Sequence, residues 1–465
     1  MHNATFLTQP HEAWAPYRPG DEEPWDERRV AHLHRRAGFG AGWKTIARDV
    51  AAGPAESIAR VLQGDEHCPD GRPVADFESL AAAMDRSFDQ QPSLARLQVA
   101  WLYRFVYAPF PLREKMTLAW HTHFATSFAK ADTRALAEQN RAQRELWRAP
   151  TSRLHLRMLR DPAMLVWLDG VNSQKEQPNE NLGREFLELF ALGEGNYSEQ
   201  DVKETARALT GWQRMVDNDK LRRLPSRHDA GVKTLLGETG AWTDEDVVRI
   251  ACRQPAAARH IARRLWRTFI ADGVEPTPEL LEALAAAMRV PGDVDVAKGI
   301  ETVLRSRLFH SVECRSWRVA SPVEYAACAL RSCEALAPCP DLMDVNLFLN
   351  RMGQQLFEPP NVAGWPGGLE WLRGPTIVAR ANFAAWLAAG DAGVSPDHFL
   401  SVARRHKWTG PAEWLDRFSL LLAPVPLPPA RAASIVAAAK AIADPAKSCA
   451  EVVKQILSSS AGQLG

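Results

Sequence analysis

The sequence has no C-x-x-C pair among its seven cysteines, and an odd number cannot all be paired. Neither a zinc ribbon nor a disulfide frame is expected; the thiols read as free and buried, in a reducing compartment. It also lacks a basic excess: Lys plus Arg and Asp plus Glu both number 56, for a formal net charge of zero. Nucleic-acid binders draw much of their affinity from neutralising phosphates, so that class is set aside. No uncharged apolar run approaches the ~20 residues that span a bilayer. The opening, MHNATFLTQPHEAWAPYRPGDEEPW, has no basic start followed by an apolar core. It does not read as a secretory signal, and the cytoplasm is the default location. H-E-x-x-H, G-x-S-x-G, the E-x-x-H pair of di-iron bundles and a post-strand G-x-G-x-x-G are all missing. Gly38-Phe39-Gly40-Ala41-Gly42 follows a helical pattern and lacks the P-loop Lys-Ser/Thr, so it is not a phosphate loop.

What is present is a chain of 465 residues, 46% hydrophobic, enough for one large or two moderate domains. Residues 1–25 are polar and Pro-rich and read as an extended arm. Asp26 is a good N-cap and Gly38 a good stop, with Val30, Leu33 and Ala37 at helical spacing between them. Long helical patterns follow at 73–108, 111–128, 131–148 and 151–168, with Pro150 and Pro162 as breaks or first-turn residues. Residues 212–238 differ. Trp212 to Val216, a polar turn at Asp217-Asn218-Asp219, and Lys233 to Gly237 read as a short β-hairpin or irregular excursion. Helical patterns resume at 243–271, 276–306, 321–337 and 343–353. Pro359-Pro360-Asn361 and Gly364-Trp365-Pro366-Gly367-Gly368 then form a rigid loop. From about residue 370 the tail is Ala- and Leu-rich helix, interrupted by Pro424, Pro426, Pro428 and Pro429. The expected fold is all-α, a large multi-helix orthogonal or bundle-like array. The arm precedes a main helical domain over 26–390, with a C-terminal helical subdomain over 391–465 packed on it.

The segment Asn179 to Gly193 is the most informative chemically. At ~100° per residue, Leu189 lies about 40° from Glu185 and Leu192 about 20° away on the other side. Glu185 is thus expected among leucines, with Glu188 and Asn181 beside it. A carboxylate at an apolar boundary needs a partner or takes up a proton. It serves either as part of a metal-binding or acid–base edge, or as a buried brace for arginines. Glu180 and Arg184 read as a helix ion pair, and Ser198 with Asp201 as a capping box. His121 and His123 in Trp120-His121-Thr122-His123-Phe124 are ~200° apart on a helix, so a joint metal site requires a distorted one. His228-Asp229 falls in the excursion, either closing over the Glu185 edge or stabilising a turn. Trp365 and Trp371 are either stacking planes or gap-fillers between helices.

Several strings resemble a known family: His32 to Gly40, Leu112 to Met116, Trp120 to Phe124, Asp161 to Leu165, and Asn179 to Asn181 with Arg184-Glu185 and Glu188-Leu189. Thr210-Gly211-Trp212, His228-Asp229, Pro359 to Val362 and Gly364 to Gly367 extend the match. In this order, over about residues 28–385, they resemble the bacterial family called domain of unknown function 1800. The resemblance implies that Trp120, His121, His123, Asn179, Glu180, Asn181, Arg184, Glu185, Glu188, His228 and Asp229 recur, without giving them roles. Family members often look exported. They are often encoded beside proteins resembling the alkaline phosphatase and sulfatase superfamily, which implies a shared pathway or complex. The leading expectation is a hydrolase whose site gathers Glu185, Glu188, His228 and Asp229 with His123. It works by direct acid–base chemistry, or with a divalent metal ion on His121, His123 and Glu185. The alternatives are a non-catalytic helical scaffold that partners a phosphatase- or sulfatase-like protein and, behind it, a carbohydrate-binding protein using Trp365 and Trp371.

Overall fold

Asp26 has extended backbone, and its carboxylate accepts the Arg29 N–H at 2.8 Å. The first long helix, Glu27–Arg36, therefore starts where an N-cap Asp predicts. It stops at Ala37, and Gly40 rather than Gly38 takes the left-handed backbone. The computed structural model describes residues 9–214, 221–337, 339–391 and 393–465. The expected polar turn at Asp217-Asn218-Asp219 lies outside them, as do Met215 and Val216. Among the described residues run 24 α-helices and three two-stranded antiparallel pairs, an all-α architecture as expected.

Several long patterns break where local chemistry demands it. The 73–108 stretch is two helices, Val74–Gln90 and Leu94–Tyr107. Pro92 lies between them and has no N–H to continue the ladder, while Ser93 caps the second helix through Arg96 N. Residues 151–168 divide into Thr151–Leu159 and Pro162–Trp167, with Pro162 in the first turn. Residues 276–306 hold Pro278–Met288 and Val296–Arg305, separated by a small hairpin, Arg289–Val290 with Asp293–Val294. The excursion holds two hairpins: Trp212–Arg214 pairs with Leu221–Arg223, and Lys233–Leu235 pairs with Glu238–Gly240. Leu236 and Gly237 both have positive φ, as the tight second turn requires.

The stretch expected as one helix ending at Gly193 changes type midway. Glu180–Glu185 is α-helical and Phe186–Ala191 is a π-helix. A π-turn bonds i to i+5, so the 100° spacing fails beyond Glu185 and the angular placement of Leu189 and Leu192 shifts.

Two large hydrophobic clusters form the interior. One draws mainly on residues 97–108, 323–357 and 379–461, the other on residues 112–314. The C-terminal helices Pro396–Arg405, Gly410–Leu422 and Pro445–Leu457 therefore share a core with the Leu94–Tyr107 helix. The Glu27–Arg36 helix runs between the clusters, giving Val30 and Ala31 to the first and Leu33 to the second. Its last residue, Arg36, is fully buried. Its guanidinium donates to the oxygens of Phe269 (2.9 Å), Ile270 (2.7 Å), Cys314 (3.0 Å) and Gly465 (2.5 Å). All seven cysteines are unpaired, six buried and Cys339 exposed. No helix among the described residues is long and apolar enough to cross a membrane.

Candidate anion-binding cleft

The residues expected to form a site are held in separate hydrogen-bond sets. Glu185 is half-buried; desolvation first, and then the neighbouring Glu188 charge, raise its carboxyl above the usual range. Glu188 accepts the Tyr197 hydroxyl at 2.6 Å. No hydrogen bond or ion pair joins Glu185 to a histidine among the described residues. His121 and His123 leave opposite sides of the Pro111–His123 helix. His121 is sealed among Trp101, Phe357 and Trp365, its Nε2 accepting the Phe357 N–H at 3.2 Å. His123 instead donates from Nε2 to the Phe190 carbonyl at 3.1 Å, beside the His260 ring. Burial holds His121 down to about 3 and His123 well below the usual imidazole value, so both are neutral. His121, His123 and Glu185 do not converge: among the described residues no three His, Cys, Asp or Glu side chains gather as a metal ion requires. His228 is engaged by Thr210 and Arg223. Asp229 is clamped by Arg207 at 2.7 Å and held low first by that bond. This dipeptide braces the excursion against the Glu199–Ala208 helix. The helix ion pair of Glu180 with Arg184 and the capping box of Ser198 with Asp201 both form.

Charged groups gather elsewhere, in a cleft of about 460 Å³ on the seam between the clusters. This volume suits a small-molecule ligand. One wall is the face of the Pro111–His123 helix carrying Lys115, Leu118, Ala119 and Thr122, at helical spacing i, i+3, i+4 and i+7. The opposite wall is Arg264, Arg267 and Thr268 on the Pro255–Phe269 helix. Arg318, Ser321 and Glu324 close one end, and the Pro/Gly loop forms the other. That loop fits only because it carries glycines. A Cβ on Gly364 (φ 85°) would stand 2.4 Å from the Thr122 carbonyl oxygen, and one on Gly367 2.5 Å from the Asp272 carboxylate. Trp365 and Trp371 are 7% and 5% exposed and pack with Val319, so they build the wall and offer little open face for stacking.

At the cleft floor Lys115 is ion-paired to Glu324 and also donates to the Gly38 carbonyl at 3.2 Å. Burial lowers the amine to about 8 against the opposing pull of Glu324. Glu324 also accepts Arg318 twice (2.9 and 3.1 Å) and the Ser321 N–H (2.8 Å). Burial opposes its ionisation, but Arg318 and Lys115 hold it well below the carboxylate range. This network is closed on itself. Two lining groups are not. Half-buried Arg264 has no side-chain hydrogen bond or ion pair among the described residues, and desolvation with repulsion from Arg267 brings it to about 10. Asp272 accepts the Gly368 N–H at 2.7 Å but forms no ion pair among the described residues, and desolvation raises its carboxyl. The two feel one another's charge without forming an ion pair.

The fold and this site define an all-helical protein with a charged, ligand-sized cleft at the junction of two cores. The chain belongs to the family described as protein of unknown function (DUF1800), whose model matches residues 32–464. No curated protein and no solved structure matches it.

Proposed function

We propose that the protein is a hydrolase for an anionic small molecule bound in the cleft between the Pro111–His123 and Pro255–Phe269 helices. The observation that carries this reading is the pair Arg264 and Asp272, a guanidinium and a carboxyl that line one cavity and have no ion-pair partner among the described residues. Arg264 holds the anionic group of the ligand. Asp272, its carboxyl raised by burial and oriented by Gly368, gives its proton to the leaving oxygen as the bond to that oxygen breaks and water attacks, and the proton the water sheds returns to the Asp272 carboxylate. Lys115 and Arg318 add positive potential at the floor.

The test is turnover of chromogenic aryl phosphates, aryl sulfates and aryl glucuronides by wild type, Asp272→Asn and Arg264→Met. One class is expected to react, with D272N lowering kcat roughly 10²–10⁴-fold and R264M acting mainly on KM. Turnover undiminished in D272N sinks the assignment, as does the absence of both turnover and binding for all three classes.

One observation favours a second reading, in which the protein docks a phosphatase- or sulfatase-like partner. Of the eleven large apolar side chains left exposed among the described residues, five fall within 343–378: Met343, Leu347, Leu369, Ile377 and Val378. Leu369 adjoins the cleft-lining Gly367 and Trp371. Co-elution of such a partner with wild type, lost in Leu369→Glu with Ile377→Glu, supports docking; co-elution that survives the double change rules this surface out.

A further inference from the structure

A second and larger cavity, about 670 Å³, lies away from the cleft. Its walls come from the Glu27–Arg36 and Trp43–Ala52 helices, the loop at 65–71, and the chain around Arg331 and Glu334.

Arg331 is 5% exposed and has no carboxylate ion-pair partner among the described residues. Its Nε donates to the Gly40 carbonyl (3.1 Å), and its Nη1 to the carbonyls of Val106 (2.9 Å) and Ala108 (3.3 Å). Among the described residues Nη2 has no hydrogen-bond partner and is not sealed off, so it opens onto the cavity. A buried guanidinium whose hydrogen-bond acceptors are all neutral carbonyls, with the Asp65 and Asp70 charges acting only from a distance and already paired to other arginines, is under-compensated, and an anion supplies what is missing.

His34 lines the same cavity and is 9% exposed. Its Nε2 donates to Asp49 Oδ2 at 2.7 Å. Asp49 is fully buried and fixed from its other oxygen by Arg48 (2.8 Å) and Arg60. With Nε2–H committed to Asp49, the ring nitrogen left for a ligand is Nδ1, which has no hydrogen-bond partner among the described residues and is open to the cavity. In the Nε2–H tautomer that this bond selects, Nδ1 accepts a hydroxyl proton.

The carboxylates around the cavity are already engaged. Asp65 pairs with Arg48 (2.8 Å), Asp70 with Arg72 (2.5 Å), and Glu334 with Arg405 (2.6 Å) and His406 (3.0 Å). Glu334 adopts φ 53°, and a Cβ on Gly42 would meet its side chain at 2.8 Å, so this wall is tightly shaped. Lys44 stands at the rim, exposed and unpaired among the described residues.

We infer that this cavity is a second small-molecule site, whose ligand presents an oxyanion to Arg331 and a hydroxyl to His34. A hydrogenphosphate group and a 2-hydroxycarboxylate both have this pattern; a simple carboxylate has only the first half.

The experiment is calorimetric titration of the full chain with inorganic phosphate, glycolate and acetate at neutral pH. Phosphate and glycolate bind, and acetate binds roughly tenfold more weakly, the worth of one hydrogen bond to a partly charged acceptor pair. His34→Leu brings glycolate down to the acetate level and leaves acetate unchanged. Lys44→Glu, an exposed position with no native pairing to lose, weakens all three. Arg264→Met leaves the glycolate-to-acetate ratio intact, which separates this cavity from the cleft. Acetate binding as tightly as glycolate in the wild type overturns the inference, as does no heat with phosphate and glycolate. Affinities unchanged in both H34L and K44E overturn it as well. Should H34L fail to fold, the wild-type ratio and K44E decide.

Discussion

Glu324 receives Lys115, both terminal nitrogens of Arg318 and the Ser321 N–H, and all three side chains are buried. Replacing it by Gln removes the one negative charge that two buried cations share. Breaking such a pair from one side costs about 3–5 kcal/mol, because the stranded charges stay out of water. E324Q is therefore expected to lower the urea midpoint strongly, and a shift below about 1 kcal/mol would show that Lys115 and Arg318 find other acceptors. The residue scale also shows how the sequence could mislead. The strings Leu112 to Met116, Trp120 to Phe124 and Gly364 to Gly367 do build the cleft. The imidazoles drew attention, yet His121 and His123 sit inside the two cores, while Lys115 and Thr122 on the remaining face line the cavity. Histidine carries chemistry by reputation, but a fully enclosed imidazole bonded to backbone is a packing residue. Arg264 and Asp272 left no comparable mark, because Arg264 follows another arginine in a helix and Asp272 reads as a helix-end residue.

The Pro/Gly loop and the π-helix set the geometry at the scale of elements. Gly364 combines a left-handed φ with an approach to Thr122 that no side chain tolerates. Gly364→Ala is expected to cost about 2 kcal/mol or more and to lower Tm by several degrees. It should also weaken whatever the cleft binds, since Trp365 and Gly367 follow directly. An alanine variant that melts like wild type would mean the loop can re-form around a Cβ. The π-helix has its own demand. Its irregular turn turns the Leu189 and Phe190 carbonyls toward His260 (2.8 Å) and His123 (3.1 Å). Helical periodicity forecast an amphipathic stretch here, and one exists. The extra residue per turn is invisible to a fixed-angle projection, so the leucines beyond Glu185 do not keep the forecast angles, while Glu185 itself is half-buried. Capping residues were more readable: Asp26, Ser198 and Pro162 all do locally what their chemistry dictates, independent of distant packing.

Across the described residues, five imidazoles are no more than 1% exposed and are neutral: His32, His121, His123, His155 and His310. Desolvation is the first cause in each, and it brings His121, His155 and His310 to about 3. In the unfolded chain these groups take up protons below about 6.5, whereas in the native state they do not. Their contribution is thus intact above that pH and is lost as the medium acidifies toward the folded values, by about 1.4 kcal/mol per pH unit for each group. Thermal unfolding followed from pH 7.5 to 5 should show a steep fall in Tm; a flat profile would mean that the imidazoles are hydrated. The overall all-α class was legible because periodicity and caps are local signals. The two-cluster interior was not, since it joins residues near 100 to residues near 450 by contacts no local pattern encodes. Arg36 carries that point into biosynthesis. The oxygens that satisfy its guanidinium belong to residues 269, 270, 314 and 465. A nascent chain that has emerged only through its first helices holds a cation awaiting acceptors the ribosome has yet to translate. The opening segment must therefore stay hydrated and provisional until residues 269 to 465 arrive.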